Sequence, residues 1–266
     1  MNLSIVIPVY NSENILEELV TRIYQSLKKK NFQGKFEIIL INDCSKDNSW
    51  EKIKDLSDKF SDVKGLNLAE NYGQHNAIMA GLNECKGDKI ITMDDDLQHP
   101  PNSIKDLLSE LDKGHDVCYT NYLNRRHPPW KKFVSWLNNL VSSYLLNKPY
   151  NIYLSSFRAF KKEIAKELVK YKKKDVYLDG LILKTTRNIS IISVPHNKRP
   201  EGKSNYNFFK LLSLWSNMAV NFPIFPLRLS TMFGLILLLI IVAFRKILAI
   251  IARKSNEQYI ISEKTF

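Results

Sequence analysis

Hydrophobic residues enter the chain first as a nearly unbroken run and then as a spaced one. From Leu3 to Val9 they are mostly β-branched or apolar and end at the turn Pro8-Val9-Tyr10-Asn11, whereas from Ile15 to Leu27 they recur at helical spacing. That reads as strand, loop, helix. The pattern returns as an apolar run from Phe36 to Ile41, the polar loop Asn42 to Ser49 and a helix-like stretch from Trp50 to Phe60. A third strand is predicted over Val63–Leu68 with a helix around Asn76–Glu84, and a fourth over Lys89–Met93 that runs into Asp94-Asp95-Asp96. Strands alternating with helices predict an α/β fold over the first 120 residues, a doubly wound, mostly parallel sheet with helices on both faces.

In such sheets ligands sit beyond the carboxyl ends of the strands. The polar loops at Tyr10, Asp43 and Asp94 all follow strand ends, so they are expected to converge on one site. Residues 121 to 204 mix basic helix-like stretches with a strand at Ile189–Val194 and are expected to complete the acceptor side.

The most apolar tract lies near the other end. Leu229 to Phe244 carries no charge, but its 16 residues fall short of the roughly 20 that cross a hydrocarbon core as a helix. Ile247–Ala252 extends it if Arg245 and Lys246 snorkel. A single crossing from a cytoplasmic body would put Arg245, Lys246, Arg253 and Lys254 on the far side, against the positive-inside bias, so an interfacial or re-entrant placement stays open. The expected organisation is a catalytic domain over 1–226, a membrane-associated or transmembrane segment over 227–254 and a polar tail over 255–266.

Composition narrows the partners. With 266 residues and 44% hydrophobic content the chain can bury a large core, and a formal net charge of +12 favours an anionic partner such as phosphate or an acidic membrane surface. No nucleic-acid-binding motif is present, and an acidic triplet at a strand end would repel phosphate without a metal, so nucleic acid is not the expected partner. Cys44, Cys85 and Cys118 are odd in number and lack metal-type spacing; with no secretion signal at the amino terminus, they fit a reducing cytoplasmic setting. His75, His99 and His196 are too scattered for a zinc site.

The chemistry-bearing tract is the acidic triplet. Mg2+ or Mn2+ takes hard oxygen ligands from one or two carboxylates together with substrate phosphate. In an extended segment Asp94 and Asp96 would face one ion while Asp95 faces elsewhere, and Gln98 could add a neutral oxygen. Three aspartates also serve as a solvated turn or helix cap before Pro100-Pro101; the apolar approach Ile90-Ile91-Thr92-Met93 favours the site.

The segments Pro8-Val9-Tyr10-Asn11, Asn42-Asp43-Cys44-Ser45, Asn71-Tyr72-Gly73-Gln74-His75 and Asp94-Asp95-Asp96-Leu97-Gln98-His99-Pro100, with Arg199 to Tyr206, occur in the order seen in family 2 glycosyltransferases. The chain resembles the polyprenyl-phosphate branch of that family, over roughly residues 3 to 230. The resemblance implies a GT-A fold and inverting, metal-dependent transfer of a sugar to undecaprenyl or other polyprenyl phosphate at the cytoplasmic membrane face. The expected donor is a UDP-hexose or UDP-N-acetylhexosamine; a saccharide or other non-lipid acceptor is the alternative, and a homo-oligomer stays open.

Residue by residue, the resemblance places Pro8, Tyr10, Glu13, Asp43 and Asp95 at the nucleotide, Arg199 and Lys203 at the donor diphosphate, and Asp94, Asp96 and Gln98 at Mg2+ or Mn2+. Ser155, Ser156 and Arg158, with Arg125, are placed at the acceptor phosphate, and Asp96 and Arg158 are the catalytic candidates. Asn42 stands where many members have aspartate, Ser12 interrupts Tyr-Asn-Glu, and Ser156 replaces the residue before Phe-Arg, which leaves the catalytic base open. A phosphate acceptor weakens the need for one, since a monoester with a second pKa of about 6 is largely dianionic at neutral pH. Asp179-Gly180 reads equally as a turn or as a segment closing on the site and is kept outside it.

Overall fold

The computed structural model describes residues 2–29, 32, 34–123, 153–173, 176–195 and 224–254. The chain falls into two compact units, Met1–Leu211 and Leu212–Phe266. In the first, β1 (Leu3–Val9) is buried along its whole length, as expected of a central strand covered on both faces. The helix α1 (Leu16–Lys29) buries Leu16, Leu19, Val20, Ile23 and Leu27 on one stripe. It carries Glu17 and Glu18 in its first turn and Lys28 and Lys29 in its last, each charge opposing the helix dipole. Then follow β2 (Phe36–Asn42), α2 (Ser49–Lys59), β3 (Val63–Asn67), α3 (Gln74–Glu84) and β4 (Lys89–Thr92), each within a few residues of its expected place.

The next elements are α4 (Ile104–Asp112), β5 (Val117–Leu123), β6 (Arg158–Lys161), α5 (Lys162–Leu168), α6 (Leu178–Thr185) and β7 (Ile189–Pro195). The seven strands form one sheet in the order β3-β2-β1-β4-β6-β5-β7. Pairing is parallel except around β6, which runs antiparallel to both β4 and β5. The sheet is therefore mixed and mostly parallel. Strand periodicity divides the core in two: Leu3, Ile5, Ile7 and Val9 pack with α1 and α4 on one face, while Val6, Ile39 and Ile41 pack with α3, α5 and α6 on the other. Close approach of α3 depends on Gly81, where an added Cβ would lie 2.6 Å from Val6 Cγ1.

From β1 the chain first adds β2 and β3 on one side and then places β4 on the other. This makes the gap between the carboxyl ends of β1 and β4 the topological switch point, the usual ligand crevice of such sheets.

In the second unit, α7 (Ile224–Lys254) is a single helix of 31 residues that runs unbroken through Arg245 and Lys246. Large apolar side chains from Phe233 to Leu248 are exposed around it. Its charge-free run is short, and among the described residues no helix is both long and apolar enough to cross a membrane.

Candidate active site

The loops after β1, β2 and β4 converge at the switch point and are tied together by side chains that accept from backbone amides. After β1, the Tyr10 N–H donates to Asp95 Oδ2 at 3.1 Å and the Ser12 hydroxyl reaches the same oxygen at 2.5 Å. The β1 and β2 loops interlock: Lys46 N–H donates to Asn11 Oδ1 at 2.8 Å, Glu13 N–H to Asp47 Oδ2 at 3.1 Å, and Asn48 N–H to Glu13 Oε2 at 2.8 Å. Asp43, just past β2, accepts from Tyr72 N–H at 2.8 Å and Gly73 N–H at 2.9 Å. That holds the start of α3 beside it, with Gly73 at a φ of 83° that an L side chain would strain.

Among the described residues, the non-glycine residues with positive φ are Asn11, Cys44 and Leu97, one in each converging loop. Backbone held in this sparsely populated region costs energy and concentrates at binding sites.

The triplet itself is not extended. β4 ends at Thr92, and Leu97 at a φ of 60° turns the chain, so the expected strand alternation is replaced by a bend in which Gln98 N–H donates to Asp96 Oδ1 at 3.1 Å. Asp95 still points away from its neighbours, toward Tyr10 and Ser12. Asp94 accepts from Gln74 Nε2 and from the Ser156 hydroxyl, each at 2.6 Å. His99 accepts the Asp94 N–H on Nδ1 at 3.0 Å and stacks on Phe157, which is a structural role and not a zinc ligand's.

The electrostatics are one-sided. Among the described residues no lysine or arginine forms an ion pair with Asp94, Asp95 or Asp96, and His99 Nε2 lies 3.7 Å from Asp94 Oδ2. Burial, with the charges of Asp94 and Asp96 adding to it against the bonds from Ser12 and Tyr10, raises the Asp95 pKa to about 6.

No group of three or more His, Cys, Asp or Glu side chains among the described residues is arranged to hold an ion. A cage made by protein alone is thus not what these residues offer. Two partly exposed carboxylates with neutral partners fit a Mg2+- or Mn2+-like ion whose coordination a substrate diphosphate completes.

The acceptor-side candidates are differently placed. Ser156 reaches Asp94, as above, while Ser155 is buried, 3.0 Å from Thr120 Oγ1 and accepting from Phe157 N–H at 3.2 Å. Arg158 is 1% exposed: its guanidinium pairs with Asp179, donates from Nε to Thr92 Oγ1 at 3.2 Å and lies over the Tyr119 ring. Direct contact with an acceptor phosphate would require that pair to open.

Pro8 is buried inside β1 opposite Ile41, and Tyr10 is 46% exposed at the mouth of the crevice. Arg125, Arg199, Lys203 and the tail 255–266 lie outside the described residues. Asp179, left aside on its sequence, lies in the first turn of α6 and also accepts from the Tyr119 hydroxyl at 2.8 Å. Gln74 was visible only as part of a motif, and its bond to Asp94 spans 20 residues of chain.

Residues 4–169 match the family described as Glycosyl transferase family 2. Among similar relatives is the undecaprenyl-phosphate 4-deoxy-4-formamido-L-arabinose transferase of Shewanella sediminis, 35% identical over 233 residues, 87% of this chain and 70% of that one. The transferase of the same name from Proteus mirabilis is 33% identical over 87% of this chain and 71% of its own. Two solved structures share the fold. Glucosyl-3-phosphoglycerate synthase from Mycobacterium tuberculosis, in complex with Mn2+, UDP-glucose and phosphoglyceric acid, has a TM-score of 0.61 at 17% identity, covering 81% of this chain and 76% of that one. S. aureus TarS 1–349 with UDP-GlcNAc has a TM-score of 0.54 at 23% identity, covering 83% and 67%.

Proposed function

The chain belongs to glycosyl transferase family 2 and is a glycosyltransferase, and on that premise we propose that it moves a sugar from a nucleotide donor, a UDP-hexose or UDP-N-acetylhexosamine, to a polyprenyl phosphate at the cytoplasmic membrane face. The observation that carries this reading is the run of carboxylates at the switch point with which no lysine or arginine forms an ion pair among the described residues. Relatives named for undecaprenyl-phosphate transfer support the acceptor class, and fold neighbours solved with UDP-sugars and Mn2+ support the donor class and the ion.

In this reading Asp94 and Asp96, with Gln98, hold a divalent cation. When bound, the cation neutralises the negative charge that develops on the departing diphosphate. Tyr10, Asp43 and Glu13 line the nucleotide side, and Asp95 anchors the Tyr10 loop against the triplet. The acceptor phosphate attacks the anomeric carbon in line and inverts it. Being largely dianionic at neutral pH, it requires orientation more than deprotonation. Arg199 and Lys203 are assigned to the donor diphosphate and Arg125 to the acceptor phosphate through the family resemblance. The 227–254 segment is assigned to membrane association because its apolar side chains are exposed and basic residues flank the charge-free run.

The test is transfer of radiolabel from a panel of nucleotide sugars into solvent-extractable lipid by membranes containing the full chain. Label in the lipid phase that requires polyprenyl phosphate and a divalent ion supports the reading. Label appearing instead in water-soluble saccharide, undiminished by competing polyprenyl phosphate, would replace the acceptor.

A further inference from the structure

A continuous line of polar contacts runs from α6 to the triplet. Asp179 pairs with Arg158; Arg158 Nε donates to Thr92 Oγ1 at 3.2 Å; the Thr92 hydroxyl donates to the Ser156 carbonyl at 2.7 Å; and the Ser156 hydroxyl donates to Asp94 Oδ2 at 2.6 Å. The residues come from five places in the fold: the first turn of α6, the first residue of β6, the last residue of β4, the segment before β6 and the segment after β4.

Each link is chemically directional. The Thr92 hydroxyl has one proton, committed to the Ser156 carbonyl, and its oxygen receives the Arg158 Nε proton. The single Ser156 proton goes to Asp94. Exchange for a side chain of the same shape but without the hydroxyl therefore breaks the line at a defined point.

Burial makes the far end rigid. A guanidinium 1% exposed is tolerated only with its charge matched and its donors met, so Arg158 has little freedom to leave Asp179. Asp179 is in turn held by the Tyr119 hydroxyl at 2.8 Å. The order of the buried pair is thus passed to the one carboxylate of the triplet that Gln74 and Ser156 grip from both sides.

We propose that Asp179, Arg158 and Thr92 are positioning residues: they fix the Ser156 hydroxyl, and through it the orientation of Asp94 on which divalent-cation affinity depends. This rests on the reading of Asp94 as a cation ligand. It makes the Ser-Ser-Phe-Arg segment a brace for the donor side, with the Arg158 side chain acting from within the protein.

The test is titration of the purified full chain with Mn2+, alone and in the presence of UDP, followed by electron paramagnetic resonance, on wild type, Asp94→Asn, Thr92→Val, Thr92→Ser and Asp179→Asn, with thermal melts to confirm folding. Asp94→Asn loses the high-affinity site. Thr92→Val weakens Mn2+ affinity about tenfold or more, the scale of groups that orient metal ligands. Thr92→Ser, which keeps the hydroxyl, binds as wild type, and Asp179→Asn, if folded, follows Thr92→Val.

If Asp94→Asn loses Mn2+ but Thr92→Val and Asp179→Asn bind as wild type, the brace is wrong and the cation reading survives. If Thr92→Val weakens binding but folded Asp179→Asn binds as wild type, the line stops at Arg158 and Asp179 is not a positioning residue. If Asp179→Asn does not fold, the contrast between Thr92→Val and Thr92→Ser decides alone. If wild type binds no Mn2+ even with UDP present, or Asp94→Asn binds it undiminished, the cation reading fails and the proposal with it.

Discussion

The loops after β1, β2 and β4, proposed to hold the donor, and the Arg158 region, read from the sequence as the acceptor side, handle charge in opposite ways. At the ends of β1, β2 and β4, Asp43, Asp94 and Asp95 are held by backbone amides, hydroxyls and a glutamine, all neutral, and among the described residues no lysine or arginine forms an ion pair with them. Beside β4, Arg158 and Asp179 form an ion pair inside the protein. Neutral donors orient a carboxylate without cancelling its charge, which leaves it available to a cation. A buried ion pair spends its charge on holding elements together. The contrast separates binding groups from bracing groups before any ligand is considered.

The largest expected effect tests the uncompensated side. Asp94→Asn should reduce transfer by at least about three orders of magnitude, since electrophilic stabilisation of a leaving group contributes several kcal/mol. Its melting temperature in metal-free buffer should stay level or rise, because one of three crowded charges is gone.

Next comes the braced side. Arg158→Met should cost about 3–5 kcal/mol in chemical denaturation, because Asp179 is left buried and unpaired, while Arg158→Met combined with Asp179→Leu should recover much of that loss. If Arg158→Met proves as stable as wild type, the pair is not the brace described.

An intermediate effect is read in pH. Burial, reinforced by the nearby Arg158 charge, lowers the His75 pKa from 6.5 to about 4. The unfolded chain binds this proton more readily, so stability from neutral His75 is present above about 6.5 and lost as pH falls toward 4. Asp95 runs the other way: raised from 3.8 to about 6, it favours the fold below its ordinary value and loses that contribution as pH rises through 6. In metal-free melts, His75→Asn should lessen the loss of stability on acidification, and Asp95→Asn should raise stability more at pH 7 than at pH 4.

Much of the donor side was legible in the sequence. β1 and β2 are mostly apolar runs, interrupted only by Ser4 and Glu37 before their polar loops, a pattern that strand burial on both faces produces, and the triplet stands out after an apolar approach. Its geometry departs from the strand alternation that the sequence predicts: the strand stops at Thr92, and Leu97 bends the loop.

The acceptor side was harder to read for a physical reason. β6 is the four residues Arg158–Lys161, whose first member is a buried charge, so neither length nor polarity marks it as a strand. Asp179-Gly180 has the composition of a turn yet sits within α6, because Arg158 and Tyr119, distant in sequence, hold the carboxylate. Local patterns encode periodicity, whereas pairings of distant charges are settled only by the fold.

The smallest expected effect concerns loop strain. Cys44 is exposed with φ 54°, so Cys44→Gly should raise stability by a few tenths to about 1 kcal/mol, relief of left-handed strain being partly offset by glycine's greater freedom when unfolded. A loss on denaturation would show that the Cys44 side chain holds the loop.

The central claim is that the carboxylates after β4 hold a divalent cation for a nucleotide diphosphate. Calorimetric titration of UDP into the full chain, with Mn2+ and with chelator, tests it directly. UDP should bind with Mn2+ present, bind at least about tenfold more weakly without it, and lose the Mn2+ dependence in Asp94→Asn. Equal UDP affinity with and without Mn2+, unchanged by that substitution, would contradict the claim.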